Sequence, residues 1–242
     1  QDREGLAFVF MLDSITFLAP IAILLVIRDR FPPQVNEQDD IWASLKVGLK
    51  HVWDDIPMRM FVFMIGGLTL IFRGPFSVGV PAFADGFLTE GAAGFGTILS
   101  ALGVGAIIGT VIAGSTPLPR SNRIGILLLV DFLGFGIVLA AMTFVRELWI
   151  IAAMVLVGGI LDGYIIIFII TWVQKRVPTH LMGRVMSVVM FFSQGMFPIS
   201  AAIAGVAAGI DLAMMLLVSG LLMIFVAAVG LLFRPLRRLG YD

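Results

Sequence analysis

Cysteine is absent from these 242 residues, which excludes a disulfide framework, a thiolate metal site and a cysteine nucleophile. Histidine occurs only as His51 and His180, both expected in loops, and there is no Gly-x-Ser-x-Gly or His-Glu-x-x-His motif. Hydrolytic chemistry therefore has no support, and neither a metal site nor an enzyme is indicated. Phosphate-cradling motifs are missing too: Gly103-x-Gly105-x-x-x-Gly109 has the wrong spacing for a dinucleotide fingerprint and no strand frames it, so no cofactor is implied. Charge is also scarce. Only 13% of residues are charged, and 16 basic residues balance 16 acidic ones, which argues against nucleic acid as a partner.

What fills the chain instead is apolar surface. Hydrophobic residues make up 60% of it and the mean hydropathy is +1.06, too apolar for a water-soluble domain of this size. Seven apolar stretches are read at 5–27, 58–82, 91–114, 124–145, 148–173, 185–209 and 212–233. Each has about the 20 residues a helix needs to cross the hydrocarbon of a bilayer. The predicted fold class is an all-α integral membrane protein of seven transmembrane helices, in contact with the lipid bilayer along most of its length. The start Gln1-Asp2-Arg3-Glu4, with Asp13 inside the first apolar run, does not suit a cleaved signal peptide, and the chain reads as a fragment.

The basic residues give an orientation. Connections on one side hold Arg28, Arg30, Lys46, Lys50, Arg59, Arg120, Arg123, Lys175, Arg176, Arg184, Arg234, Arg237 and Arg238, and those on the other hold only Arg3 and Arg146. The positive-inside rule then puts the N-terminus of this fragment outside and its C-terminus in the cytoplasm, as an odd number of spans requires. Within the long inner connection, Ile41, Leu45 and Leu49 recur every four residues beside Trp42 and Trp53, with Lys46 and Lys50 on another face. That pattern suits a helix lying in the membrane interface, capped by Asp39 or Asp40, or equally a solvated linker helix.

The stretch Gln174-Lys-Arg-Val-Pro178-Thr-His-Leu-Met-Gly183-Arg184-Val-Met-Ser187 resembles the loop between the tenth and eleventh helices of major facilitator superfamily transporters. The resemblance is closest to the drug-efflux branch that includes macrolide and siderophore exporters. Gly48-Leu49 followed by Pro57 and Arg59, and Gly91-Ala-Ala-Gly94-Phe-Gly96, agree in order. The loop from Gly114 to Arg123 departs from the superfamily: it lacks the Asp of the Gly-x-x-x-Asp-Arg-x-Gly-Arg signature. The resemblance implies that residues 1–27 are the last helix of an N-terminal half, 28–57 a central cytoplasmic loop with its interfacial helix, and 58–242 a C-terminal six-helix bundle. The remainder of the N-terminal half is then a missing partner. It also implies a multidrug antiporter of the inner, cytoplasmic membrane, in which protons and a small-molecule substrate use one central cavity.

Charges within a bilayer cost several kcal/mol unless paired or hydrated, so Asp13, Arg73, Asp131 and Asp162 are functional candidates. Arg73 and Asp162 fall at similar depths, about 22 and about 18 Å from the inner ends of their spans at 1.5 Å per residue. The resemblance assigns them to cavity-lining helices, where they are expected to form a charge pair that substrate or a proton opens; a static pair, or an Arg73 reaching the outer interface, is the alternative. Tyr164 and Gln194 are candidate substrate contacts on the same path, or else buried interhelical hydrogen bonds. Asp13 and Asp131, each in the pattern Asp-x-x-x-Phe, are expected to be structural. Ala101, Gly105, Gly109 and Ala113, and likewise Ala201, Gly205 and Gly209, predict two seams for close helix approach. Gly74-Pro75 and Pro198 predict breaks or kinks.

The function expected from all this is proton-coupled efflux of small amphipathic molecules by alternating access. The alternatives are a seven-helix receptor, whose retinal form would need a lysine that residues 212–233 lack, and a non-transporting membrane scaffold.

Overall fold

The computed structural model describes residues 2–27, 41–116 and 124–233. Six helices in it are long and apolar enough to cross a membrane: α4 (Ile56–Phe87), α5 (Ala92–Ser115), α6 (Ile124–Ala141), α7 (Leu148–Arg176), α8 (Thr179–Ile210) and α9 (Leu212–Leu232). Before them come α1 (Asp2–Thr16), α2 (Leu18–Ile27) and α3 (Ile41–Asp54). The seventh expected span is thus two shorter helices, broken at Phe17. The break has a local cause: Pro20 has no N–H to donate to the carbonyl of Thr16, four residues back. Residues 2–27 belong to one compact unit and the described residues from Ile41 onward to another.

The helix read from the sequence in the long inner connection, interfacial or solvated, is α3. His51 lies in this helix and not in a loop, and its Nε2 is buried without a hydrogen-bond partner among the described residues. The capping residues proposed for α3, Asp39 and Asp40, lie outside the described residues, as do Arg28, Arg30, Arg120, Arg123 and the three C-terminal arginines. Gly48 of α3 sits on the backbone of Arg184 in α8, so closely that an added Cβ would come 2.6 Å from the Arg184 carbonyl oxygen. Two segments that carry the family resemblance therefore touch.

Within the second unit, α5 lies along α7, α6 packs against α7 and α9, and α4 crosses α8. Apolar side chains form two clusters at opposite ends of the bundle. One gathers Phe83, Phe132, Phe135, Leu139, Leu216 and Met223; the other gathers Val52, Met58, Phe61, Trp172, Val173 and Val185. The first predicted small-residue seam forms: a side chain at Gly105 would run into the backbone of Leu156, and one at Gly109 into that of Ile160. α7 answers with Gly159 and Gly163 against Leu102 and Ala106, so both helices contribute glycines and their backbones meet. The second predicted seam meets no partner among the described residues. Gly205 and Gly209 have no atoms within 4 Å of an added Cβ and face outward from the described bundle.

The two ends differ in charge. Among the described residues, Asp85, Glu90, Glu147 and Asp211 cluster at one end with Arg146, whereas the other carries Lys46, Lys50, Arg59, Lys175, Arg176 and Arg184. At the basic end Asp55 N-caps α4 by accepting the N–H of Met58 at 3.2 Å, and its carboxylate also pairs with Arg176 at 2.6 Å. One carboxylate so fixes the start of α4 to the end of α7.

Candidate functional site

The candidate site is built where α4 crosses α8, and two prolines dictate its chemistry. Both helices widen there into π-helical turns, Thr69–Arg73 and Pro75–Gly79 in α4 and Phe191–Gly195 in α8. In a π turn each carbonyl looks for an N–H five residues on. For Leu70 that residue is Pro75, and for Ser193 it is Pro198; neither proline has an N–H. Each helix supplies the donor that the other lacks. The Ser200 hydroxyl donates to the Leu70 carbonyl at 2.7 Å and accepts the N–H of Gly74 at 2.9 Å. In return, Thr69 Oγ1 and Arg73 Nη1 donate to the Ser193 carbonyl at 3.3 and 3.1 Å.

Gly74 is required at this crossing, since any Cβ would overlap the backbone and hydroxyl of Ser200. The sequence marked Gly74-Pro75 and Pro198 as break points; the structure shows them to be halves of one hydrogen-bonded joint. Thr69, Ser193 and Ser200 escaped sequence reasoning. The signal available was the prolines themselves, because a proline within a membrane span leaves a carbonyl that some polar group must satisfy.

Arg73 also donates to Gln194 Oε1 at 2.8 Å, which joins two of the predicted pathway residues. It makes no ion pair with Asp162. A long side chain on a helix points back toward the helix N-terminus, and that direction delivers the guanidinium to Ser193 and Gln194, not to α7. Arg73, Asp162 and Gln194 lie on exposed faces of this chain. Tyr164 is half-buried on α7, its ring edge-on to Phe168 at 4.7 Å, and it does not join the Arg73 cluster.

Of the two aspartates expected to be structural, Asp131 is 3% exposed on α6, with Oδ1 lacking a hydrogen-bond partner among the described residues. Asp13 is exposed on α1, and Thr16 bonds its backbone carbonyl at 2.6 Å. In the loop motif, Gln174 and Pro178 are exposed, Gly183 has open space around it, and Arg184 carries the contact with Gly48. No group of three or more metal-ligating side chains occurs among the described residues.

Comparison with known proteins agrees with this architecture. Residues 3–239 match the family described as transmembrane secretion effector, of the major facilitator type. No curated protein and no solved structure matches the chain. The family match sets aside the receptor and scaffold alternatives. Matched over nearly its whole length and folded into six membrane-length helices, the chain belongs to the transmembrane secretion effector family: it is a multi-pass membrane transporter, not an enzyme.

Proposed function

We propose that the chain works as part of a proton-coupled efflux transporter that moves small amphipathic molecules by alternating access, with its basic end in the cytoplasm and a second helical half supplying the opposite wall of the cavity. The observation that carries this reading is the joint between α4 and α8. It holds a charged and a neutral polar side chain, Arg73 and Gln194, together at 2.8 Å on an exposed face deep in the span. A guanidinium in hydrocarbon is costly without a compensating role.

In this reading Arg73 and Gln194 form the polar part of the substrate path, and Asp162, a carboxylate on an exposed face of α7, takes and releases the proton. Substrate that draws the guanidinium away from Gln194 weakens the joint, and the wide π turns give the two helices room to shift. Tyr164 borders the same path from α7. The positive-inside rule supports the orientation, since the Gln174 to Arg184 loop lies at the basic end.

The test is transport by the complete transporter in proteoliposomes under an imposed pH gradient, with ethidium as the probe. Asp162→Asn is expected to abolish the pH dependence of ethidium movement while leaving downhill exchange intact. Unchanged pH dependence would overturn the role of Asp162, and equal transport without any gradient would overturn proton coupling altogether.

A further inference from the structure

Beside the α4–α8 joint, on the flank closed by α9, lies a cavity of about 380 Å³. Its volume is within the range of small-molecule sites. Pro75 and Ser200 form its floor next to the joint, and Ile203, Met214 and Val218 are among its apolar walls. The single charged residue in its lining is Asp211, at the acidic end of the bundle. Arg73, Gln194 and Asp162 take no part in it, so this is a different site from the pathway proposed above.

Asp211 caps α9 by accepting the N–H of Met214 at 2.9 Å through Oδ1. That bond uses one of about four lone-pair positions on a carboxylate and leaves its charge in place. Asp211 is exposed and forms no ion pair among the described residues. Asp85, Glu90 and Glu147 are exposed at the same end of the bundle. The guanidinium of Arg146, the basic residue at that end, lies 3.8 Å from the centre of the Phe87 ring and 5.5 Å from that of Phe83, and it forms no ion pair with Asp211. An apolar slot lined by a carboxylate that no basic side chain pairs with suits a molecule of the opposite design, an alkyl chain with a cationic head.

We infer that this cavity is a binding site for single-chain amphiphiles bearing an ammonium head, with the chain against Ile203, Met214 and Val218 and the head at Asp211. A neutral amphiphile gains the burial but not the charge, and an anionic one is repelled. The inference does not depend on proton coupling or on the role of Asp162.

The experiment uses the full protein in phosphatidylcholine nanodiscs and a diazirine-bearing dodecyltrimethylammonium probe, with crosslinked peptides mapped by mass spectrometry. Labelling is expected to concentrate within residues 200–222 and to be competed by unlabelled dodecyltrimethylammonium. Asp211→Asn removes the charge while keeping the cap, since Asn caps about as well as Asp. It should lower labelling about three- to fivefold, the upper range for a solvent-accessible ion pair. Ala207→Phe, which fills the cavity, should abolish labelling at these residues. The inference is overturned if Asp211→Asn labels like the wild type, if a dodecyl maltoside probe labels the same residues equally well, or if labelling spreads evenly over the exposed faces of all six helices.

Discussion

Removing the Ser200 hydroxyl would strip the α4–α8 joint of two hydrogen bonds at once. The side chain is 1% exposed, and its oxygen both donates to Leu70 and accepts from Gly74. Ser200→Ala therefore leaves one carbonyl and one N–H without partners. An unsatisfied buried group costs about 1–3 kcal/mol, and hydrogen bonds between membrane helices fall toward the low end, so the expected loss is about 2–4 kcal/mol. The proline argument makes a sharper claim. If Leu70 needs Ser200 because Pro75 has no N–H, then Pro75→Ala supplies a donor in the right register. Losing the hydroxyl should then cost about 1–2 kcal/mol less in the Pro75→Ala background than in the wild type. Such a coupling exceeds the scatter of about 0.5 kcal/mol seen for independent sites. The assay is reversible unfolding in mixed micelles of phospholipid and dodecyl sulfate, followed by circular dichroism for the four proteins of the cycle. Additivity within that scatter would refute the claim that the proline creates the need for the serine.

Three further outcomes are expected. Gly109→Ala drives a methyl group into the Ile160 backbone and should destabilise the protein by about 1–3 kcal/mol, whereas Gly205→Ala, with open space around it, should stay within about 0.5 kcal/mol of wild type in the same unfolding assay. Asp55→Asn keeps a capping side chain on α4 but loses the pairing with Arg176 and should cost about 1 kcal/mol; Asp55→Ala loses both and should cost about 2 kcal/mol, with the part due to pairing shrinking in high salt. Because these 242 residues hold no cysteine, single replacements within them report topology when the rest of the transporter is cysteine-free. Glu90→Cys should react with an impermeant maleimide from outside intact cells and His180→Cys only after permeabilisation; the reverse pattern would overturn the orientation.

Much of the architecture was legible in the sequence because a bilayer imposes a one-dimensional rule. A helix satisfies all its backbone groups within itself, so length and hydropathy alone mark where it can cross. The six spans from α4 to α9, the short helix α3 and the seam through Gly105 and Gly109 follow from that rule and from spacing along one chain. The same rule fails at Phe17, where Pro20 interrupts an otherwise apolar run, and at Gly205 and Gly209, whose spacing fits a seam but which meet no neighbour.

What the sequence determined by itself was the class of the protein, an all-helical membrane protein with a charge bias between its ends. It also gave the polar residues that a bilayer makes expensive: Arg73, Asp131, Asp162 and Gln194. Which of them meet was decided only by tertiary structure. Arg73 and Asp162 fall at matching depth, yet the guanidinium is held by Gln194 and the Ser193 carbonyl, because the carbonyl orphaned by Pro198 lies nearer along the side chain's own direction. Depth is a property of one helix and can be counted. The facing of two helices depends on how α4 and α8 cross, and that crossing is set by contacts between residues more than a hundred positions apart, from Gly74 on the Ser200 backbone to the hydrogen bonds that each proline requires of its neighbour.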